Sequence, residues 1–270
     1  MPPAPRRAVY FARRRMDRPP DGSGARLDNG YERELARIAS MGGPLAGQLD
    51  AIAEAWRRFL PGYDAAVERF VGRLLQAGVG AECPAEGDIL PDFVLPDTTG
   101  RLVHLSRLRR AGPVVVSFER GAWCPLCRSE MAALAAASPA VRAAGGEIVV
   151  VSPQRAVHGA RQRAEAAADF HVVSDIGLAY TATLGLVVPL GEELGALYRA
   201  SAIDLAGSTG DSGSLLPVPA TFVIGRDGRI VARHLDPDPR RRMEPDAIIQ
   251  AVAATGAAPA ADGLFGSARS

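Results

Sequence analysis

The first third of the chain carries apolar residues at a helical period. Between residues 31 and 77 they recur at spacings of three and four, which predicts amphipathic helices. The first set is Leu45, Leu49, Ile52, Trp56 and Phe59, and the second is Tyr63, Val67, Phe70 and Leu74. The glycine and proline pairs Gly42-Gly43-Pro44 and Pro61-Gly62 separate the helices. Their apolar faces need a partner, so we expect this extension to dock on the rest of the chain or on a second copy.

From residue 87 onward the pattern changes to alternating strands and helices. The continuous apolar runs 114–118 and 148–151 are typical of buried parallel strands. A helix predicted at 128–137 would supply the right-handed crossover between these two strands. The other predictions are a hairpin at 92–105, a strand at 171–173, a helix at 178–184, a hairpin at 220–234 and a last helix at 245–254.

A long insertion interrupts this pattern at 185–217, with a helix predicted at 191–199 and a flexible polar stretch at 208–214. The predicted organisation has four parts. They are a disordered basic tail at 1–30, a helical extension at 31–80, an α/β domain at 81–256 and a disordered tail at 257–270.

Composition narrows the function classes. The net charge is +1, so neither nucleic acid nor an anionic membrane is expected as a partner. All 31 basic residues are arginines, which excludes lysine nucleophiles and Schiff bases. No run of residues is long and apolar enough to span a membrane. The apolar run at 8–12 is too short for a signal peptide, so the expected location is cytoplasmic.

A Cys-x-x-Cys pair follows the strand predicted at 113–118. Cys124 and Cys127 fall on the first turn of the next helix, at the carboxyl end of the strand. Backbone N–H groups and the positive end of the helix dipole favour a thiolate there, and the thiolate is the nucleophilic form of cysteine. The pair therefore predicts cysteine redox chemistry.

Three other uses of such a pair compete with this interpretation. A zinc site usually needs four nitrogen or sulfur ligands, and the chain adds only Cys83 and four scattered histidines. Haem attachment needs a histidine after the second cysteine, where Arg128 stands. A structural pair of buried thiols is the third alternative. We expect no metal and no cofactor, and we expect Cys83 to be incidental, with a resolving or intersubunit role as the alternative.

Pro219 stands just before the strand predicted at 220–224. In a βαβ unit followed by ββα, the order of a thioredoxin-type domain, we expect this proline to be cis and to lie against the thiol pair. It would then present the neighbouring backbone to an incoming disulfide or peptide. The alternative is an ordinary proline at the start of a strand.

Several separated motifs stand in a fixed order along the chain. They are Arg120-Gly121-x-Trp123-Cys124-Pro125-x-Cys127, Ser152-Pro153-Gln154, Val173-Ser174-Asp175, Pro219-Ala220-Thr221-Phe222-Val223-Ile224, Asp236-Pro237-Asp238 and Glu244-Pro245. Together the motifs resemble the peroxiredoxin-like branch of the alkyl hydroperoxide reductase/thiol-specific antioxidant superfamily, over about residues 45–254. The resemblance implies an α/β thioredoxin-like fold, a central mixed sheet flanked by helices, with an N-terminal helical extension.

The resemblance also assigns the site. Catalysis would belong to Cys127 and Cys124, and the supporting residues would be Arg120, Trp123, Pro125, Pro219 and Thr221. Arg120 would stabilise a thiolate and the departing oxygen, with a surface arginine paired to Glu119 or Glu130 as the alternative. Trp123 would shield the pair, with an ordinary core aromatic as the alternative. Glu119 and Pro239 replace the aromatic residues that the family usually has there.

The two templates differ over which thiol attacks first. The peroxiredoxin register makes Cys127 the attacking thiol and Cys124 the resolving one, whereas the thioredoxin register reverses the roles. Pro219 also stands where many peroxiredoxins have an arginine, which makes the site more thioredoxin-like. Our hypothesis from the sequence follows the peroxiredoxin register.

The expected activity is a peroxidase. It would reduce hydrogen peroxide and organic hydroperoxides through a Cys124–Cys127 disulfide, recycled by a thioredoxin- or glutathione-type donor. The alternatives are a thiol–disulfide oxidoreductase acting on protein disulfides and a non-catalytic redox sensor. A homodimer through the helical extension is a further expectation.

Overall fold

The computed structural model describes residues 29–210 and 213–256. The predicted N-terminal tail lies outside this range except for Asn29 and Gly30, which begin the first helix. The predicted C-terminal tail lies wholly outside it. Among the described residues, no helix is long and apolar enough to cross a membrane.

The described chain contains ten α-helices and nine strands. The helices are α1 Asn29–Ala39, α2 Leu45–Phe59, α3 Pro61–Gln76, α4 Leu105–Ala111, α5 Pro125–Ala143, α6 Ala156–Glu165, α7 Ala179–Thr183, α8 Glu192–Ala200, α9 Leu205–Thr209 and α10 Pro245–Gly256. The strands are β1 Val94–Pro96, β2 Leu102–His104, β3 Val114–Phe118, β4 Glu147–Ser152, β5 His171–Ser174, β6 Val187–Pro189, β7 Leu215–Pro217, β8 Ala220–Ile224 and β9 Ile230–Leu235.

Five strands form the central mixed sheet, in the order β5-β4-β3-β8-β9. β3, β4 and β5 are parallel, while β8 runs antiparallel to both β3 and β9. Helix α5 makes the crossover from β3 to β4. β1 and β2, and likewise β6 and β7, form two small antiparallel hairpins outside this sheet. The predicted α/β fold with a mixed sheet flanked by helices is confirmed.

The sheet separates two hydrophobic cores. Successive side chains of a strand point to opposite faces, and every residue of β3 is buried because both faces are covered. Val114, Val116 and Phe118 join the core that holds the helical extension. Val115 joins the core formed with α5 and α10. Both thiols therefore follow a strand that is buried on both sides.

The helical extension docks on its own chain. The buried face of α2 contains Leu49, Ile52 and Trp56, and α2 packs against α5 while α3 packs against α8. The carboxylate of Glu244 accepts hydrogen bonds from the backbone N–H groups of Leu45 and Ala46, at 3.0 and 2.7 Å, and so caps α2. The sequence left open whether the extension docks on the rest of the chain or on a second copy, and the structure shows it packed on the rest of the chain.

Two local predictions need correction. The helix predicted at 128–137 is α5, which begins at Pro125 and continues through Pro139 to Ala143, where buried Val141 anchors its last turns. The stretch predicted as flexible at 208–214 is partly α9. Ser208 and Thr209 are buried there, and their hydroxyls donate to the carbonyl of Leu205.

Candidate active site

Cys124 caps α5, and Cys127 lies one turn inside it. The Cys124 backbone is extended, with φ −88° and ψ 118°, and Pro125 occupies the first turn of the helix, where no backbone N–H is needed. Both cysteines carry free thiols and are only 1% exposed. The predicted dithiol thus sits at a helix N-terminus but beneath the protein surface.

Arg120 lies against both sulfur atoms. Its guanidinium Nη2 donates to Cys124 Sγ at 3.2 Å, and its backbone N–H donates to Cys127 Sγ at 3.4 Å. The side chain is 3% exposed, and its charge centre lies 5.5 Å from the centre of the Trp123 ring. The alternative of a surface arginine is therefore wrong, and a buried cation touches the dithiol.

The two thiols have opposite acidities. Burial by itself would raise the pKa of the Cys124 thiol, but a hydrogen bond from Cys127 and the charges of Arg120 and Arg242 lower this pKa well below its usual range. The pKa of Cys127 is raised well above its usual range by burial and by the neighbouring Cys124 sulfur. The reduced pair thus favours a thiolate at Cys124 and a thiol at Cys127. This is the reverse of the order that the peroxiredoxin register assumes.

An ion pair buried on the other side of the dithiol borders Cys127. Arg242, which lies between β9 and α10, forms an ion pair with Glu130 of α5, and both side chains are almost fully buried. The Arg242 Nη2 lies 3.8 Å from Cys127 Sγ. Burial raises the pKa of Glu130 to about 7, although Arg242 opposes this effect. Arg242 thus joins Glu130 to the sulfur of Cys127.

Glu119 is a second buried carboxyl beside Cys127. It is 2% exposed, and its Oε2 accepts a hydrogen bond from the side-chain amide of Gln162 at 2.6 Å. Its Oε1 and the Gln162 Oε1 are both buried without a donor among the described residues. Burial is the main cause that raises the pKa of Glu119 to about 8. Near neutral pH this carboxyl is therefore mostly protonated.

An aromatic cover lies over Cys124. The Trp123 ring packs at 5.0 Å from the ring of Tyr198 on α8, and its indole N–H donates to the Arg120 carbonyl at 2.9 Å. Tyr63 on α3 packs against Tyr198 with ring centres 5.9 Å apart, and the two hydroxyls are 3.4 Å apart. Trp123 therefore links the dithiol to the helical extension and to the insertion, rather than serving only as a core aromatic.

A glycine shapes the loop between β3 and the dithiol. Gly121 has φ +125°, and a Cβ there would lie 2.7 Å from Gln154 Cδ. The close approach lets the Ala122 N–H donate to Gln154 Oε1 at 2.7 Å. The predicted motifs at 120–127 and 152–154 therefore meet in space, and this contact fixes the path of the loop that carries Arg120.

Pro219 and Arg120 both line one narrow crevice. The peptide bonds of the described residues are all trans, so the expected cis proline is wrong. The crevice has nine apolar lining residues besides Arg120, contributed by α3, the β6–β7 hairpin and two proline-rich segments. They are Phe70, Leu74, Val188, Leu216, Pro217, Val218, Pro219, Pro237 and Pro239. Arg120 is thus the one charged residue in an otherwise apolar lining.

Thr221 and Cys83 lie apart from these contacts. Thr221 is buried in β8 opposite Ser117. Cys83 lies beside β9, where Arg233 donates to its carbonyl at 2.8 Å, and burial raises the pKa of its thiol. A raised pKa suits an unreactive cysteine.

Several site residues escaped the sequence interpretation. Arg242 sits in an arginine run and carries no motif, whereas Tyr63 and Tyr198 look like ordinary core positions of amphipathic helices. Glu119 and Glu130 did give a signal, because each places a carboxyl among apolar residues next to the dithiol. Only a recognised contact between distant segments would have assigned these residues to the site.

A dithiol at a helix N-terminus, at the carboxyl end of a strand in this mixed sheet, defines a thioredoxin-fold oxidoreductase. The model of the AhpC/TSA family matches residues 87–233. The chain belongs to this family, as its motifs suggested.

Similar proteins include a thiol-disulfide oxidoreductase and a peroxidoxin. The chain is 27% identical over 155 residues to the thiol-disulfide oxidoreductase ResA of Bacillus subtilis. The matched segment covers 56% of this chain and 68% of ResA. The crystal structure of the peroxidoxin BcpB of Mycobacterium tuberculosis matches with a TM-score of 0.50 and 23% identity, over 63% of this chain and 97% of that one. A thiol:disulfide interchange protein from Bacteroides sp. matches with a TM-score of 0.40 and 20% identity, over 63% and 91%.

Proposed function

We propose that this protein is a thiol-dependent peroxidase in which Cys124 attacks the peroxide and Cys127 resolves. This order departs from our hypothesis from the sequence, because the site favours the thiolate at Cys124. The observation that carries the proposal is the contact between the Arg120 guanidinium and Cys124 Sγ at 3.2 Å, inside a site where both cysteines are 1% exposed.

Burial favours a small oxidant over a protein. A protein disulfide must place its own sulfur in line with the attacking thiolate, and Cys124 is buried behind the surface of the folded chain. A hydroperoxide group is far smaller and could pass along the crevice that Arg120 lines. The buried cation would then lie beside the negative charge that develops on the departing oxygen.

The reaction balances with one added proton. The Cys124 thiolate forms an S–O bond as the O–O bond breaks, giving a sulfenic acid and an alkoxide or hydroxide that takes a proton from solvent. Cys127 then forms the S–S bond, and its thiol proton leaves with the hydroxyl of the sulfenic acid as water. The peroxide is reduced to an alcohol or water, and the dithiol is oxidised to the Cys124–Cys127 disulfide.

A dithiol or thiol donor must then reduce this disulfide. A thioredoxin- or glutathione-type donor is the class we propose, and the aromatic cover would have to move for it to reach the sulfurs. The homodimer and the cytoplasmic location stay predictions from the sequence.

Thiol–disulfide exchange is the second candidate. The order of acidities, with a low pKa at the first cysteine and a raised pKa at the second, suits a nucleophilic thiol followed by a resolving one. Pro219 in the lining of the crevice also fits this activity. The two candidates share a dithiol and differ in the oxidant that reaches it.

Peroxide consumption with a thioredoxin recycling system tests the proposal, with insulin reduction measured in parallel. Wild type should consume peroxide, a sulfenic acid should be trapped in Cys127→Ser and not in Cys124→Ser, and Cys83→Ser should behave as wild type. Insulin reduction without peroxide turnover would favour the second candidate. Stoichiometric oxidation without turnover by either route would indicate a redox sensor.

A further inference from the structure

Two tyrosines from outside the central sheet meet next to Trp123, whose ring also contacts the Arg120 guanidinium. Tyr63 comes from α3 of the helical extension, outside the residues that the family model matches, and Tyr198 comes from α8 in the insertion. Their hydroxyls lie 3.4 Å apart, and either can be the donor. Tyr198 is buried and packs in a tilted arrangement against Trp123, the residue before Cys124.

The Trp123 ring connects the tyrosine pair to Arg120, because its centre lies 5.0 Å from the Tyr198 ring centre and 5.5 Å from the Arg120 guanidinium. The charge of Arg120 lowers the pKa of each tyrosine, and the Cys124 sulfur raises it, although burial is the largest cause and keeps both pKa values above the usual range. Both hydroxyls therefore stay protonated at any working pH, so each can act as a donor.

One buried donor and one hydroxyl proton in this site have no acceptor among the described residues. Arg120 Nε is buried without a partner. The pair of hydroxyls has two protons, and their mutual hydrogen bond uses only one of them. A donor shielded from water is costly to leave without an acceptor, so these two protons indicate a place for an oxygen atom that arrives with the substrate.

We propose that the Tyr63–Tyr198 hydroxyl pair and Arg120 Nε form the receptor for the peroxide oxygen that leaves when Cys124 attacks. The inference rests on the proposed peroxidase function and adds two residues to its site. As the O–O bond breaks, negative charge collects on the departing oxygen, which accepts hydrogen bonds from Arg120 Nε and from the free hydroxyl proton. Solvent supplies the proton that converts it to an alcohol or water.

The pair should act as a unit. Suppose that Tyr63 donates to Tyr198. The Tyr63→Phe variant then keeps the Tyr198 proton for the oxygen, and the Tyr198→Phe variant releases the Tyr63 proton, so each single variant retains one donor. Tyr63→Phe and Tyr198→Phe should each lower the second-order rate of oxidation of Cys124 by less than about 10-fold, and the double variant by about 100-fold. The substitutions remove one oxygen each and keep the rings that pack on Trp123.

Stopped-flow oxidation of the reduced chain by hydrogen peroxide measures these rates. Alkylation of Cys124 by iodoacetamide, measured in the same samples, reports the access to and acidity of the thiolate without a departing oxygen, so it should change little in the double variant. Tyr180→Phe is the matched control, since this buried hydroxyl donates instead to the Pro91 carbonyl at 2.8 Å. Its peroxide rate should equal that of wild type.

The outcomes separate the inference from the function on which it rests. A double variant that reacts with peroxide as fast as wild type would overturn the tyrosine receptor and leave the peroxidase intact. Equal losses in peroxide oxidation and in alkylation would show a general change in Cys124, which also overturns the receptor. A wild-type protein that does not react with peroxide would overturn both proposals.

Discussion

The two sulfurs of the dithiol, one helical turn apart, have different surroundings. Cys124 accepts from the Arg120 guanidinium, which also lies over the Trp123 ring, and that ring packs on Tyr198 of the insertion. Cys127 lies 3.8 Å from the guanidinium of Arg242, which pairs with the buried carboxyl of Glu130. The difference teaches that the neighbours of a Cys-x-x-Cys pair, more than its position on the helix, set which thiol is the nucleophile.

The period of strand β3 explains this division. Odd positions face α5, where Ser117 Oγ donates to Glu130 Oε1 at 3.5 Å, while even positions such as Phe118 face the core of the helical extension. Glu119 and Arg120 follow directly, and Arg120 contacts both sulfurs, one through its backbone N–H and the other through its guanidinium. Arg242 on the Cys127 side also lowers the pKa of Cys124, but less than Arg120 does. A change on the Cys127 side should therefore reach Cys124 in weakened form.

Breaking the buried ion pair on the Cys127 side should have the largest effect. Arg242→Met leaves the Glu130 carboxyl buried without its cation, and we expect the free energy of unfolding near pH 8 to fall by about 3–5 kcal/mol. The loss should be smaller near about pH 5.5, where a carboxyl with a raised pKa takes up a proton in the folded state and needs no cation. Urea denaturation at the two pH values measures both.

An exposed ion pair provides the matched control for this variant. Arg142 pairs with Asp169, and the two side chains are 43% and 51% exposed. Arg142→Met should cost less than about 1 kcal/mol and show little dependence on pH. Equal losses in the two variants would contradict a buried, energetically coupled pair at Cys127.

Glu119→Gln should change the pH dependence of stability. The pKa of Glu119 is about 8 in the folded chain, against 4.5 for a free carboxyl. Between these two pH values the folded wild type binds a proton that the unfolded chain does not, so its stability falls as the pH rises. Glutamine does not titrate, so the free energy of unfolding of the variant should rise relative to that of wild type as the pH increases. Between about pH 4.5 and pH 8 this relative gain should amount to roughly 3–5 kcal/mol.

Thermal or urea denaturation of both proteins across that range tests the Glu119 prediction. The glutamine amide can also donate to the Gln162 Oε1, which lacks a donor. Parallel stability curves for the two proteins would show that Glu119 titrates normally. Glu165→Gln, a variant of a more exposed carboxyl paired with Arg161, should leave the curve nearly unchanged.

On the Cys124 side, Arg120→Met should slow the thiolate chemistry. Methionine keeps an unbranched stem and has no charge, so the titration of Cys124 should move to higher pH, and peroxide oxidation near neutral pH should fall by about 100-fold. Ultraviolet absorbance of the thiolate and stopped-flow oxidation measure the two effects. Arg241→Met, at a side chain 70% exposed, is the control, and an unchanged titration of Cys124 in Arg120→Met would contradict the asymmetry.

Much of the fold could be predicted from local pattern. The apolar runs of β3 and β4 indicated buried parallel strands, and the spacing of Leu49, Ile52 and Trp56 indicated a packed helix, because burial on one or both faces leaves a periodic trace. The dithiol and Arg120 could be found for the same reason, since they lie within eight consecutive residues.

The rest of the site depends on contacts between distant segments. Arg242 reaches Glu130 across 112 positions and Tyr63 reaches Tyr198 across 135, so no local signal joins them. The isomer of Pro219 was predicted wrongly because an X–Pro bond has a small intrinsic preference that the surrounding structure decides. The order of the two thiols also depends on charges brought together only by folding.

The smallest effect should come from the ion pair between the extension and the insertion. Arg69 of α3 pairs with Glu193 of α8, with side chains 56% and 41% exposed, so Arg69→Met should change the free energy of unfolding very little. The pair nevertheless joins the two helices that carry Tyr63 and Tyr198. If opening of this cover admits iodoacetamide to Cys124, alkylation should accelerate by about two- to five-fold.

Arg57→Met is the matched control, because its exposed pair with Glu54 stays within α2. An equal acceleration in both variants would show that the whole extension loosens, whereas no acceleration in either would show that the aromatic contacts alone hold the cover over Cys124.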